Sequence, residues 1–161
     1  MRNSMDKSRI TITEVIFLLI GILLIFALAQ IASGQSAAQV QQPLYREYRG
    51  VHLGMTAPEV RAKLGEPALK SDEQDFFVIS ASETAQIAYN AAQKVMTIST
   101  DYTSGVGAPD YRSVVGEGML LQRPDGSLFR MVMYDSERFW VSYSKTATTA
   151  PIVSITIGAY K

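Results

Sequence analysis

The sequence predicts an α+β protein in which two tandem helix-plus-antiparallel-sheet modules follow an N-terminal transmembrane helix. Three features predict this fold class. A long apolar segment lies near the N-terminus, the decapeptide at 57–66 recurs at 108–117, and three strand-like runs follow each copy. Within these runs apolar and polar residues alternate, which is typical of strands that bury one face of a sheet.

The apolar segment VIFLLIGILLIFALA extends from Val15 to Ala29 without a charged side chain. Its length lies between that of a signal-peptide core and the roughly 20 residues of a membrane-spanning helix. Two fates therefore stay open. The sequence at 27–29, Ala-Leu-Ala, fits cleavage by signal peptidase, whereas the run extended to Ala32 fits an uncleaved anchor, which we favour.

The charges around this segment predict its orientation. Arg2, Lys7 and Arg9 precede it, and no charged side chain follows it closely. By the positive-inside rule, residues 1–9 lie in the cytoplasm and residues 10–32 form an inner-membrane anchor or a signal segment. The remainder of the chain is then expected on the periplasmic or extracellular side.

The N-terminal sequence also resembles the start of type IV pilins and pseudopilins. In ITITEV, residues 10–15, Glu14 occupies the glutamate position of that family. Arg9 stands where the family has a small residue before its cleavage site. The resemblance implies a pilin-like structural subunit as an alternative function.

Small and uncharged residues dominate positions 33–44 and predict a flexible linker. The folded part is then expected to comprise a first module, 45–104, and a related second module, 105–161. The two decapeptides, APEVRAKLGE and APDYRSVVGE, share Ala, Pro, Arg, Gly and Glu in register. Their recurrence, followed by a matching order of strands, predicts an internal duplication.

Each decapeptide predicts a short helix. In the first copy Thr56 is the expected N-cap, Pro58 lies in the first turn and Glu59 completes a capping box. Gly65 is expected to end this helix and Gly116 to end the second one.

Alternation within the runs assigns one set of side chains to a face that packs against the helices. In the first module this set is Phe77, Ile79, Ile87, Tyr89, Met96 and Ile98, and in the second it is Phe129, Met131, Phe139, Val141, Val153 and Ile155.

The opposite face is expected to be exposed and to bind a partner. It combines Trp, Tyr and Arg side chains, which are enriched at interface hot spots, with apolar residues of the first module. The candidate partner-binding residues are Trp140, Arg138, Tyr134, Arg130, Phe76 and Val78.

Residues 50–67, GVHLGMTAPEVRAKLGEP, resemble the signature of the SmpA/OmlA (BamE-like) domain family, which includes the small lipoprotein of the outer-membrane barrel-assembly machine. In duplicated form the domain resembles β-lactamase inhibitory protein, whose tandem modules form one concave sheet that clamps an enzyme. The resemblance implies this fold and a protein-binding role outside the cytoplasm, and it implies no catalytic residue. This chain lacks the lipid-bearing cysteine of the lipoprotein.

Composition also limits the partners and the kinds of site that the chain can have. Fifteen basic and 15 acidic residues balance, so the net charge favours neither nucleic acid nor an acidic polymer as a partner. A chain without Cys and with one His has no thiolate chemistry and no His-rich metal site. His52 is expected to be a packing or loop residue, and the acidic cluster Asp72, Glu73 and Asp75 to be a solvated turn. No catalytic residue, metal site or cofactor is predicted.

The sequence therefore predicts a non-catalytic, membrane-anchored envelope protein that recognises another extracytoplasmic protein through an exposed sheet face, in the setting of outer-membrane or envelope assembly. Two alternatives stay open. One is a secreted inhibitor of an extracytoplasmic enzyme, released by cleavage after Ala29, and the other is the pilin-like subunit.

Overall fold

Eight strands form one antiparallel sheet, and two short helices pack on one side of it. The computed structural model describes residues 42–160. The elements in chain order are β1 (Glu47–Tyr48), β2 (Val51–His52), α1 (Ala57–Leu64), β3 (Leu69–Lys70), β4 (Gln74–Val78), β5 (Glu83–Tyr89), β6 (Val95–Tyr102), a 3-10 turn (Thr103–Gly105), α2 (Tyr111–Val115), β7 (Leu121–Gln122), β8 (Leu128–Tyr134), β9 (Phe139–Lys145) and β10 (Val153–Ala159).

The segments predicted at 1–9 and 10–32, and most of the linker predicted at 33–44, lie outside the described residues. Between residues 42 and 160, neither helix has the length and apolar character needed to cross a membrane.

The strand order across the sheet is β3-β4-β5-β6-β10-β9-β8-β7. The four strands that follow α1 therefore occupy one half, and the four that follow α2 occupy the other half in mirrored order. The last strand of each half, β6 and β10, pair with each other in the middle of the sheet. The described residues thus form the expected mixture of helix and antiparallel sheet.

Both predicted helices are present and end at the expected glycines, although α2 begins at the fourth residue of its decapeptide and α1 at the first. At the start of α1, the Thr56 backbone N–H and hydroxyl both donate to Glu59 Oε2 at 2.8 Å. Gly65 ends this helix with a φ of 87°, a value that glycine adopts without steric cost. At the start of α2, the Asp110 side chain accepts from the Arg112 backbone N–H at 2.9 Å. Gly116 ends α2 with a φ of 76°.

The inner face of the sheet is the side on which the helices pack. Val60 of α1, with Val114 and Val115 of α2, is fully buried in one core with the inner-face side chains. The central inner-face residues are Phe77, Ala85, Ile87, Ile98, Thr100, Val141, Ile155 and Ile157. One continuous core therefore spans both halves of the described chain.

Three of the side chains expected on the inner face do not lie there. Phe129 and Met131 lie on the outer face, because β8 pairs with β9 so that Val132 is opposite the buried Val141. Met96 is 40% exposed, since the register of β5 and β6 shifts at a β-bulge that leaves this residue without a cross-strand partner.

A buried ion pair fastens α1 to the sheet. The Arg61 guanidinium donates from Nε and Nη2 to the two carboxylate oxygens of Asp75, at 2.8 and 3.0 Å. The Asp75 side chain is fully buried, and it also accepts from the Tyr89 hydroxyl at 2.8 Å. The bidentate contact with this carboxylate raises the pKa of Arg61. Our expectation of a solvated turn is therefore wrong for Asp75, whereas Asp72 and Glu73 are exposed as expected.

A second polar cluster fastens the β1–β2 hairpin to the end of the sheet. Glu83 on β5 accepts from the Tyr48 hydroxyl at 2.7 Å and from Arg49 Nη2 at 2.8 Å. Burial alone would raise the pKa of Glu83, but the hydrogen bonds from Arg49 and Tyr48 outweigh it and hold the pKa below its usual range. Glu83 is therefore ionised in the folded protein and stabilises the hairpin in that form.

We expect Arg61→Met to lower the free energy of unfolding by about 3 kcal/mol, because it leaves the Asp75 carboxylate buried without its counter-ion. Chemical denaturation of the full chain measures this loss. The double variant Arg61→Met/Asp75→Leu should recover more than half of it, since it removes both charges. Equal instability of the single and double variants would show that the Arg61 side chain acts only by packing.

We expect Glu83→Gln to cost about 1 kcal/mol near pH 7, because Arg49 is half exposed and water screens its charge. Since the folded pKa of Glu83 is lowered, its contribution is complete above the unfolded value of about 4.3 and is lost as the pH falls below it. Denaturation curves between pH 3 and 7 should therefore converge for variant and wild type at the acid end. Glu47→Gln, exposed on the same hairpin, is the matched control. A difference that is unchanged at pH 3 would contradict the assignment.

Candidate binding face

The outer face of the sheet is the side opposite the helices, and its side chains form three rows across the strands. The register of the six long strands defines these rows. They are Val78, Thr84, Asp101, Ser154, Ser144 and Phe129; Phe76, Gln86, Ser99, Thr156, Ser142 and Met131; and Gln74, Ala88, Thr97, Gly158, Trp140 and Met133.

The middle of each row consists of small, mostly hydroxyl-bearing residues, which we call the floor. The floor is Thr84, Ala88, Thr97, Ser99, Asp101, Ser142, Ser144, Ser154, Thr156 and Gly158. Several of its polar groups bond to one another across strands. Ser99 and Thr156 share a hydroxyl hydrogen bond of 3.1 Å, and the Ser154 hydroxyl donates to the Asp101 carboxylate. The floor is therefore polar, and half of its eight polar side chains are hydrogen-bonded to one another within the sheet.

Apolar side chains border the floor on both sides. The first bank is Leu69, Phe76 and Val78, on β3 and β4, and the second bank is Leu121, Phe129, Met131, Met133 and Trp140, on β7, β8 and β9. Leu69 and Leu121 are 70% and 67% exposed, and Met131 and Met133 are both 47% exposed. Exposed apolar residues that gather on one face indicate an interaction surface, whereas isolated ones need no explanation.

Trp140 is the only tryptophan of the chain, and it lies on the floor side of the second bank. Its indole covers Gly158 of the neighbouring β10, where a Cβ atom would come within 2.5 Å of the ring. The absence of a side chain at position 158 therefore leaves room for the indole. Trp140 is half-buried in this position and still borders the outer surface.

The structure separates the six predicted site residues. Trp140, Phe76 and Val78 lie on the outer face, so the placement predicted for these three is confirmed. Tyr134 and Arg130 lie on the inner face. The prediction that they share the side of Trp140 is therefore wrong. Arg138 lies in the turn before β9 with a φ of 58°, outside the strand.

Burial and hydrogen bonds give the inner residues structural roles. Tyr134 is 3% exposed and stacks on Phe139, with ring centroids 4.9 Å apart. The Arg130 guanidinium donates from Nε to the Val115 carbonyl at the end of α2, at 2.9 Å. Arg130 therefore fastens α2 to the sheet and is not available to orient a partner.

Sequence reasoning missed four of the exposed residues: Leu69, Leu121, Met131 and Met133. Met131 and Met133 alternate with the buried Val132 and Tyr134, but both sets of side chains are apolar, so alternation alone does not show which set is exposed. Leu69 and Leu121 lie on strands of two residues, which are too short to show a period.

Features of a catalytic or metal site are sparse in residues 42–160. No group of three or more metal-ligating side chains occurs among them. His52 is the last residue of β2 and is exposed, with Nδ1 3.0 Å from the Leu53 carbonyl oxygen, so the expectation of a packing or loop histidine is wrong. It borders a cavity of about 350 Å³ together with Arg46, Glu47, Leu53, Glu137 and Phe139.

Comparison of the chain with protein-family models, with curated proteins and with solved structures finds no match.

We expect Gly158→Ala to displace the Trp140 indole from the sheet, because the new Cβ and the ring cannot occupy the same space. The emission maximum of the single tryptophan should move to longer wavelength and its quenching by acrylamide should increase, with a stability loss of about 1–3 kcal/mol. Ser142→Ala, a small change on the strand and face that carry Trp140, is the matched control. Unaltered emission from a folded Gly158→Ala variant would disprove the close packing of these two residues.

Proposed function

We propose that the chain is a non-catalytic, membrane-anchored protein of the cell envelope that recognises another extracytoplasmic protein through the outer face of its sheet. The observation that carries the proposal is the pair of exposed apolar banks on one face. The helices cover the inner face, whereas no element of residues 42–160 is packed over the outer one. Burial of this apolar surface by a partner would be favourable at about 25 cal/mol per Å².

The proposal includes the origin of this face from two tandem modules related by duplication. Its support is the mirrored strand order, together with the capped helix and terminal glycine that open each half. A protein built in this way joins two equivalent sheets into one surface, and the two banks are then the outer margins of the two modules.

The extracytoplasmic setting is supported by the sequence before the domain. The basic residues, the apolar segment at 10–32 and the uncharged linker at 33–44 follow the order of a tethered, exported protein.

We expect a photo-crosslinking amino acid at position 131 of the full chain, expressed in its own cells, to give one dominant protein adduct. Met131 is exposed on the second bank, so the substitution leaves the core intact. The same probe at Lys63, exposed on α1, is the matched control and should not give this adduct. Gel analysis and mass spectrometry compare the adducts formed from the two positions. Identical adduct patterns from positions 131 and 63 would contradict recognition through the outer face.

A substitution complements the crosslink. Trp140→Ala should reduce the position-131 adduct while the chain stays folded, because it removes the largest aromatic side chain of the second bank. Thermal unfolding of this variant separates lost binding from lost folding. A folded Trp140→Ala variant with full crosslinking would exclude Trp140 from the binding surface.

A further inference from the structure

The outer face is almost free of charge. Among the strand residues that point to it, Asp101 is the one charged side chain, and it lies in the end row, where it accepts from the Ser154 hydroxyl. Lysine and arginine are absent from the outward positions of the eight strands. One cation reaches the margin of this face, since the Arg123 guanidinium lies 4.2 Å from the centroid of the Phe129 ring. The part of the face without charge is therefore the floor apart from Asp101.

This absence of charge restricts what the face can bind. A partner that set a charged group on the two rows of the floor without Asp101 would lose the hydration of that group and find no counter-ion, which is strongly unfavourable. Lipid surfaces are a poor fit as well, because interfacial membrane binding commonly combines an apolar face with Lys and Arg that contact anionic headgroups. A protein surface without charge at its centre fits both the apolar banks and the hydroxyl floor.

A small cavity lies beside the first bank. Its volume is about 170 Å³, and it lies between the side chains of Leu69, Phe76, Gln74 and Gln86, with Lys70 and Ser71 completing its lining. Gln86 Nε2 donates to Gln74 Oε1 at 2.6 Å across one side of it. A dry cavity of about 150 Å³ is known to hold a benzene ring, so this one has room for one aromatic side chain.

The second bank offers a different kind of surface. Met131 and Met133 are flexible and polarisable, and methionine side chains adapt to partners of irregular shape. The two banks are separated by the floor strands β5, β6, β10 and β9. One partner that contacts both banks must therefore extend across the floor.

We propose that this face takes a protein surface that is uncharged where it crosses the floor, that seats an aromatic side chain in the cavity beside Leu69 and Phe76, and that lays further apolar side chains on Met131 and Met133. This inference rests on the proposed function and specifies the chemistry of its partner.

The test uses the full chain in its own cells, with the photo-crosslinking residue placed at Val78 on the first bank or at Met131 on the second. Each version is combined with Gln86→Glu or Gln86→Lys, which set opposite charges at the same exposed position beside the cavity. Gln122→Glu and Gln122→Lys are the matched controls, since Gln122 is exposed and its register opposite Leu128 places it away from the outer face. Leu69→Ala, at a side chain 70% exposed, tests the cavity without disturbing the core.

We expect the same protein to be captured from positions 78 and 131. Both Gln86 charges should reduce its yield about tenfold or more, because neither finds a counter-ion in an uncharged partner. Leu69→Ala should also lower the yield at position 78, and the Gln122 pair should leave it unchanged. Sequencing of the crosslinked peptide from position 78 should show uncharged residues around an aromatic one. Thermal unfolding of each variant confirms that the chain is folded.

Several results would overturn the inference while the proposed function stands. Tolerance of one Gln86 charge but not the other would mean that the partner carries the complementary charge. Capture from position 131 alone, or a crosslinked peptide rich in charge, would also overturn it. Adducts with lipid only would show that the face contacts a membrane. If the adducts from positions 78 and 131 were no stronger than those from position 63, both the inference and the proposed function would be overturned.

Discussion

The pairing of β6 with β10 is the interaction on which the rest of the structure depends. Six residue pairs join the two strands, from Tyr102 opposite Val153 to Thr97 opposite Gly158. On the inner face this pairing brings Ile98 against Ile157, both buried, so the cores of the two halves become one. On the outer face it places Ser99 beside Thr156, and the two surfaces continue into each other. Without this central ladder each half would be a four-stranded sheet with one helix and one apolar margin.

The two halves fasten their helices by different polar contacts. In the first half a carboxylate on β4 holds an arginine of α1, with both partners removed from bulk water to a large extent. In the second half the arginine comes from the sheet, and Arg130 donates to the carbonyl that α2 leaves unpaired at its C-terminal end. Arg112 occupies the position that corresponds to Arg61, and it pairs with the exposed Glu117. The two halves thus share a strand order while their polar contacts differ: α1 is held by an ion pair, and α2 by a hydrogen bond to a neutral carbonyl.

The helices and most strands could be predicted because their signals are local. Pro58, Glu59 and Gly65 act on the backbone within one or two turns, so their effect can be predicted without knowing which residues pack against the helix. The register of β8 could not be predicted in this way. LFRMVMY has apolar side chains in both phases, so alternation does not choose a face, and the outcome depends on the turn at 135–138 and on pairing with β9.

Asp75 shows a second limit of sequence patterns. Asp75 lies two residues from Phe77 on the same strand, so alternation places it on the buried face, whereas its charge favours exposure to solvent. Its burial depends on the hydrogen bonds from Arg61 and Tyr89, each 14 residues away in the sequence. For the candidate face, the sequence identified Trp140, Phe76 and Val78. The scarcity of charged side chains on that face could be seen only once the register of all eight strands was known. A property of a surface assembled from eight strands is not contained in any one of them.

The shortness of β3 and β7 has a consequence for how copies of this protein meet. Both outermost strands are two residues long, and short edge strands are a known protection against strand addition by another chain. Long open edges would allow strands of neighbouring copies to pair into continuous ribbons. Each outermost strand offers such pairing only two residues, and the longest stretch that such a strand leaves uncovered is β8 beyond its two residues paired with β7.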